Sequence, residues 1–128
     1  MTVSPRAHEL AVAAAEAAAD KLADDILAFD VGDQLVITDV FVLCSASNDR
    51  QVRAVVEGIE ERLRTLGAKP VRREGEREGR WVLLDFVDIV VHVQHSEERS
   101  FYALERLWKD CPTIPFVDAA LADSGNQQ

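Results

Sequence analysis

Between Asp49 and Leu66 the apolar residues Val52, Val55, Val56, Ile59, Leu63 and Leu66 step by three and four, the period that lays one stripe of a helix on a core. Ser45-Ala46-Ser47-Asn48 supplies a turn and a cap before this helix, and Gly67 is suited to stop it in a left-handed conformation. Arg53, Glu57, Glu60, Glu61 and Arg64 are left for a solvated outer face. On either side the period becomes strand-like. Asp39 to Ala46 is β-branched and aromatic with almost no polar break, as expected of an interior strand covered on both faces. Downstream, Trp81, Leu83 and Asp85 alternate with Val82, Leu84 and Phe86. After a turn, Ile89, Val91 and Val93 alternate with Asp88, Val90, His92 and Gln94, which predicts a hairpin.

The flanking segments are weaker. Ser4-Pro5 is a good helix entry, and the Ala-rich run from Arg6 to about Ala23 has a thin apolar face, so it predicts a covering helix of modest contribution. Asp24-Asp25 breaks that pattern, and Ile26 to Val31 reads as a short strand ending at Gly32-Asp33. Lys69 to Arg80 predicts an edge strand and turn, with Pro70 at its start and Gly75 and Gly79 bracketing a charged loop. Ser96 is placed to cap a helix that carries Glu97 and Glu98 at its positive end. Phe101, Leu104 and Trp108 form its stripe, Leu107 lies beside them, and Cys111-Pro112 ends it. Thr113 to Ala122 is ambiguous. One domain over residues 1–122 is expected, with Asp123 to Gln128 as a flexible, solvated tail.

Charge narrows the function classes. The net charge of −9 argues against a protein that lives by gripping phosphate backbones and favours a basic protein partner. No stretch approaches the roughly 18 apolar residues that span a bilayer, and no signal-peptide pattern opens the chain, so a cytoplasmic protein is expected. Cys44 and Cys111 fit neither a C-x-x-C motif nor zinc spacing and read as reduced thiols.

The chemistry sits in the stretch Trp81 to Trp108. Asp85, Asp88, His92 and Arg99 interrupt apolar lettering there, and Trp81, Tyr102 and Trp108 place large amphipathic rings near its ends. Trp81 is either a plug at the core edge or an exposed anchor. Tyr102 and Arg99, three apart, share a helical face, whereas Trp108 is in register for the core. Asp85 and Asp88 invite comparison with two-metal phosphoryl transfer, yet they are three apart across a turn and no glycine-rich phosphate loop accompanies them, so turn formation suffices for them. His92 and His95, three apart on a strand, face opposite ways and make a poor metal pair; His92 reads as semi-buried and bonded to an acid. Five basic residues, Lys69, Arg72, Arg73, Arg77 and Arg80, gather in one twelve-residue segment. They read either as charge protecting an edge strand or as a contact with nucleic acid, RNA above all, or an anionic partner beside the interface.

At Ser45 to Val52, Glu74-Gly75, Trp81 to Phe86, Asp88 to Val93 and Arg99 to Trp108 the sequence resembles the ribosomal silencing factor, or iojap-like, family, the similarity covering roughly Ser4 to Phe116. The resemblance implies an α/β fold, a mixed sheet of about five strands with helices packed on it and a topology remotely akin to nucleotidyltransferases. It also implies binding to the large ribosomal subunit through its ribosomal protein fourteen, which obstructs joining of the small subunit and lowers translation when nutrients are scarce. The expected partner-binding residues are Trp81, Leu83, Asp85, Asp88, His92, Arg99, Tyr102 and Leu104, with no catalytic residue, metal or cofactor. A nucleotidyltransferase-like enzyme is the alternative, and a homodimer is left open. Two departures stand out. Phe86-Val87 replaces a usual Tyr-Gly in the hairpin turn, where Val resists the positive φ that Gly permits, and Val40-Phe41 replaces an aromatic pair, a change of packing alone.

Overall fold

Five strands join in one mixed sheet in the computed structural model, which describes residues 3–33 and 38–116. In chain order the elements are α1 (Pro5–Asp20), β1 (Asp24–Asp30), β2 (Val40–Ala46), α2 (Asp49–Thr65), β3 (Arg72–Glu74), β4 (Trp81–Asp85), β5 (Ile89–His95) and α3 (Ser96–Tyr102). A 3-10 turn, Leu104–Arg106, comes next. The strands lie side by side as β1-β2-β5-β4-β3, with β2 and β5 parallel and the other pairs antiparallel. Parallel neighbours need a long crossover, and here α2, β3 and β4 supply it between β2 and β5. The predicted α/β architecture of about five strands is the one observed.

The helices start where their caps lie. Ser4 Oγ accepts from the Ala7 amide at 3.1 Å ahead of Pro5, and the Asn48 side chain accepts from the Gln51 amide at 2.8 Å. Past α2, Gly67 takes φ +81°. Val52, Val55, Ile59 and Leu63 are fully buried and pack on the sheet face built by Val40, Val42, Cys44, Val82, Leu84, Ile89, Val91 and Val93. The same face receives α1, which is more deeply set than a thin cover: Leu10 and a run of alanines from Ala7 to Ala19 are buried. The alanines bury little each, but their small size lets α1 come close to both α2 and the sheet.

Several boundaries differ from expectation, each for a backbone reason. The helix α1 ends three residues early, with Leu22 at φ +62°. Asp24 and Asp25 open β1 instead of breaking the chain; the register slips between Asp24 and Leu27, and Asp25 takes φ +50° in that bulge. In the hairpin turn Val87 adopts φ +74° despite its branched side chain. Asp85 Oδ1 accepts from the Val87 amide at 2.8 Å, and the Phe86 amide donates to Ile89 O at 2.9 Å, so local bonds hold the residue there. The last helix is also shorter than its apolar stripe suggested, stopping at Tyr102 as Ala103 turns left-handed at φ +46°. His95, not Ser96, caps it by accepting from the Glu97 amide, while Ser96 Oγ donates to Ala46 O at 3.0 Å. Thr113 pairs with Phe29, extending the β1 edge. The ambiguous stretch beyond Phe116 and the tail Asp123 to Gln128 lie outside the described residues. No helix among the described residues is long and apolar enough to cross a membrane.

Two stability outcomes are expected. Ile59→Ala, which empties a fully buried site, should cost about 2–5 kcal/mol in urea unfolding. Val87→Gly should raise stability by about 1 kcal/mol, because glycine accepts the positive φ that valine holds under strain.

Candidate functional site

The second face of the sheet carries the alternate residues of the same strands. Pairing aligns Phe41, Val90 and Asp85 in one row, Leu43, His92 and Leu83 in the next, and Ser45, Gln94 and Trp81 in the third. Its helical cover is the seven-residue α3 with the 3-10 turn behind it. A short cover leaves the β4 side of the face partly open: Trp81 and Leu83 are half-buried, whereas Leu43 and Gln94, on the strands nearer the middle, are buried.

Rings run across this face in one connected series. Phe101 meets Tyr102 edge-on with centroids 5.0 Å apart, and Tyr102 leans on Trp81 at 4.8 Å. Trp81 adjoins His92 at 6.1 Å, His92 meets Phe41 edge-on at 5.0 Å, and Phe41 meets Trp108 edge-on at 5.3 Å. Such tilted and edge-to-face pairs suit the ring quadrupoles and hold each neighbour's orientation. The Phe101–Tyr102 end of the series is the exposed one, Phe101 at 81% and Tyr102 at 50%, and Leu107, next to Trp108 at the other end, is 70% exposed. Large apolar side chains that stand free beside half-buried aromatics form a patch suited to a partner's surface.

Trp81 is held from below. Its indole N–H donates to His92 Nδ1 at 3.2 Å, so the imidazole is the acceptor and its partner is an indole, not the acid expected from the sequence. Burial pushes the His92 pKa down to about 4, so the ring is neutral near pH 7 and can keep accepting. Asp85, whose Oδ1 serves the turn, also lies 3.9 Å from Arg72. The main-chain carbonyl of Asp88 accepts from the Asp39 amide at 3.2 Å. Asp85 therefore behaves as the turn former the sequence suggested, with one carboxylate oxygen already bonded where metal chemistry would want it open.

Arg99 and Tyr102 do not share a face. Arg99 is buried beneath α3, only 6% exposed, and its Nε donates to both carboxylate oxygens of Glu105 at 3.2 and 3.3 Å. It supports the surface from within, a correction of the expected contact role. Leu104 is half-buried in the 3-10 turn, off the helical stripe on which it was placed. Trp108 is also half-buried, against Phe41, because the break at Ala103 rotates everything after it, whereas Phe101, ahead of the break, is 81% exposed.

Much of the basic segment is engaged with acids. Arg80 reaches Glu97 and Glu98 at 2.7 Å each, Arg73 reaches Glu60 at 2.7 Å, and Arg72 lies 3.0 Å from Glu74. The Arg80 hydrogen bond holds the Glu97 carboxyl below its usual range. Lys69 and Arg77 are exposed, and the Arg77 carbonyl accepts from Arg53. Exposed pairs of this kind contribute little to stability, but they offset the local positive charge that suggested RNA. Cys44 is buried, its thiol pushed up to about 12 by desolvation, and Cys111 is half-exposed; both are free.

Sequence reasoning missed Phe41, treated as packing alone, although it links His92 to Trp108. Strand alternation could have found it, since Phe41 falls on the face of Leu43 and opposite Val90. Leu107 and Glu105 were missed because an unbroken helix was assumed through Ala103, and Phe101 was set on that helix's inward stripe, whereas it is exposed.

Comparison with known proteins adds a separate finding. Residues 4–128 match the family model described as ribosomal silencing factor during starvation. The ribosomal silencing factor of Bacillus subtilis is 44% identical over 99 residues, covering 77% of this chain and 84% of its own. A crystal structure of a Chromobacterium violaceum protein superposes with a TM-score of 0.77 at 30% identity, over 85% of this chain and 88% of its own. One from Bacillus halodurans gives 0.73 at 36% identity, over 84% and 97%.

Protonation of His92 must break its acceptor role, and linkage sets the sign of the effect. A histidine with its folded pKa depressed from 6.5 to about 4 gives stability that is fully present above pH 6.5 and is lost as pH falls from 6.5 toward 4. The loss should amount to about 3 kcal/mol at most, and His92→Leu should flatten that part of a pH series of urea midpoints.

Proposed function

The chain belongs to the ribosomal silencing factor family, and from that premise we propose that it lowers translation by docking on the large ribosomal subunit and blocking access of the small one. Ribosomal protein fourteen of the large subunit is the surface it docks on. Occlusion of this kind needs a shaped, partly apolar face and no catalytic group. The series of rings ending in exposed Tyr102 and Phe101 is the single observation that most supports it.

Trp81, Leu83 and Tyr102 form the centre of that face in this proposal, with Phe101, Leu104 and Leu107 extending it. Interface centres of this type are where large, rigid rings contribute most. Asp85 and Asp88 stand at the rim, and with the net charge of −9 they suit a basic partner and speed encounter with it. His92 fixes the indole of Trp81, and Arg99 braces α3 from beneath. Lys69 and Arg77 are free to touch nearby RNA as a supplement, with Arg72, Arg73 and Arg80 tied to carboxylates. A steep fall of large-subunit affinity with salt would mark such a contribution.

Trp81→Ala should weaken binding to purified large subunits by more than about 2 kcal/mol, roughly thirty-fold, with the thermal unfolding profile little changed. Co-sedimentation across a dilution series measures it. An affinity equal to that of the parent protein would remove Trp81 from the contact and with it the centre of the docking face.

A further inference from the structure

The α3 cover ends in a turn that its residues do not favour. Ala103 stands at φ +46°, a conformation costly for any residue with a Cβ, and the chain then closes into the 3-10 turn of Leu104–Arg106. A seven-residue helix has little stability of its own, so its geometry depends on what ties its two ends down. At the first end, Ser96 Oγ holds Ala46 O, and Arg80 holds Glu97 and Glu98. At the second, the side-chain tie across the turn is Arg99 to Glu105.

We propose that Glu105 is a positioning residue of the docking face: by pairing with the buried Arg99 across the Ala103 turn, it sets the angle at which Tyr102, Phe101 and Leu107 stand. The inference rests on the docking function proposed above. Arg99 is almost fully buried, whereas the Glu105 side chain is 35% exposed and is the carboxylate bonded to it. Arg99 Nη1 is buried and has no hydrogen-bond partner among the described residues, so the contacts of Nε with the two Glu105 oxygens carry the compensation on this side of the guanidinium. A buried cation stripped of its counter-charge is strongly disfavoured. The 3-10 turn has room to swing outward and admit water, because a cleft of about 580 Å³ bordered by Asp25, Ile26, Leu27, Arg99 and Glu105 lies beside it. Such a swing would move the Leu107 carrier, pull Trp108 from Phe41 and release the end of α3 that holds Tyr102 against Trp81.

Glu105→Gln keeps the shape and removes the charge. It should lower affinity for isolated large subunits at least ten-fold and speed amide hydrogen exchange at residues 103–108, leaving exchange in β5 (Ile89–His95) as in the parent. Glu105→Asp, which retains the carboxylate, should recover most of the affinity. Trp81→Ala, measured in the same series, reports on the docking face itself. If Trp81→Ala weakens binding but Glu105→Gln stays within two-fold of the parent, the positioning role is wrong and the docking face stands. If Glu105→Gln accelerates exchange throughout β5 as well, Glu105 merely stabilises the fold and the role is again wrong. If Trp81→Ala binds as tightly as the parent, the docking face falls and the positioning role with it.

Discussion

The parallel pairing of β2 with β5 constrains everything else in this molecule. Two parallel neighbours cannot be joined by a hairpin, so the intervening chain must leave the sheet, cross it as α2 and return by β3 and β4 to the far side of β5. That route puts the long helix on one sheet face, where α1 joins it and the aliphatic core condenses. Among the described residues, the opposite face is covered by the chain leaving β5, a helix of seven residues and a 3-10 turn. The asymmetry of the fold is therefore a consequence of its connectivity.

The two faces also differ in how they are held. Between the helices and the sheet, Val, Ile, Leu and Ala close on one another with little polar interruption, and burial of apolar area is the dominant force. Beneath α3 the same strands present His92, Gln94 and Ser45 among Phe41 and Leu43, and order depends on directed contacts. The indole N–H to His92, the Arg99 to Glu105 pair and the edge-to-face rings each fix an angle, which apolar packing alone does not do. An interaction surface needs that property, because a partner reads the orientation of its rings as well as their presence. The exposed aromatics stand at its outer end, on a chain whose net charge is −9.

Much of this was legible in the residues. Strand alternation set Trp81, Leu83 and Asp85 on one face of the first hairpin strand and Asp88, Val90, His92 and Gln94 on one face of the second, and the register then brings Trp81, Leu83 and Asp85 beside Gln94, His92 and Val90. The i, i+3, i+4 stripe from Val52 to Leu66 marked α2, and the glycines at 67, 75 and 79 all take positive φ. Less legible was the last helix, whose stripe through Leu104 and Trp108 continues past the point where the backbone turns. No glycine or proline marks Ala103. Val87 likewise takes a conformation its side chain resists, held by the Asp85 carboxylate and the hairpin bonds around it.

Periodicity by itself thus determined which residues lie inward on each strand and on the long helix, because those periods are properties of a single element repeated along the chain. The order of the strands, the depth of α1, the burial of Arg99 and the freedom of Phe101 and Leu107 were decided only by tertiary structure. Each of them depends on a contact between residues distant in sequence or on a turn imposed by such contacts. A local pattern carries no record of either.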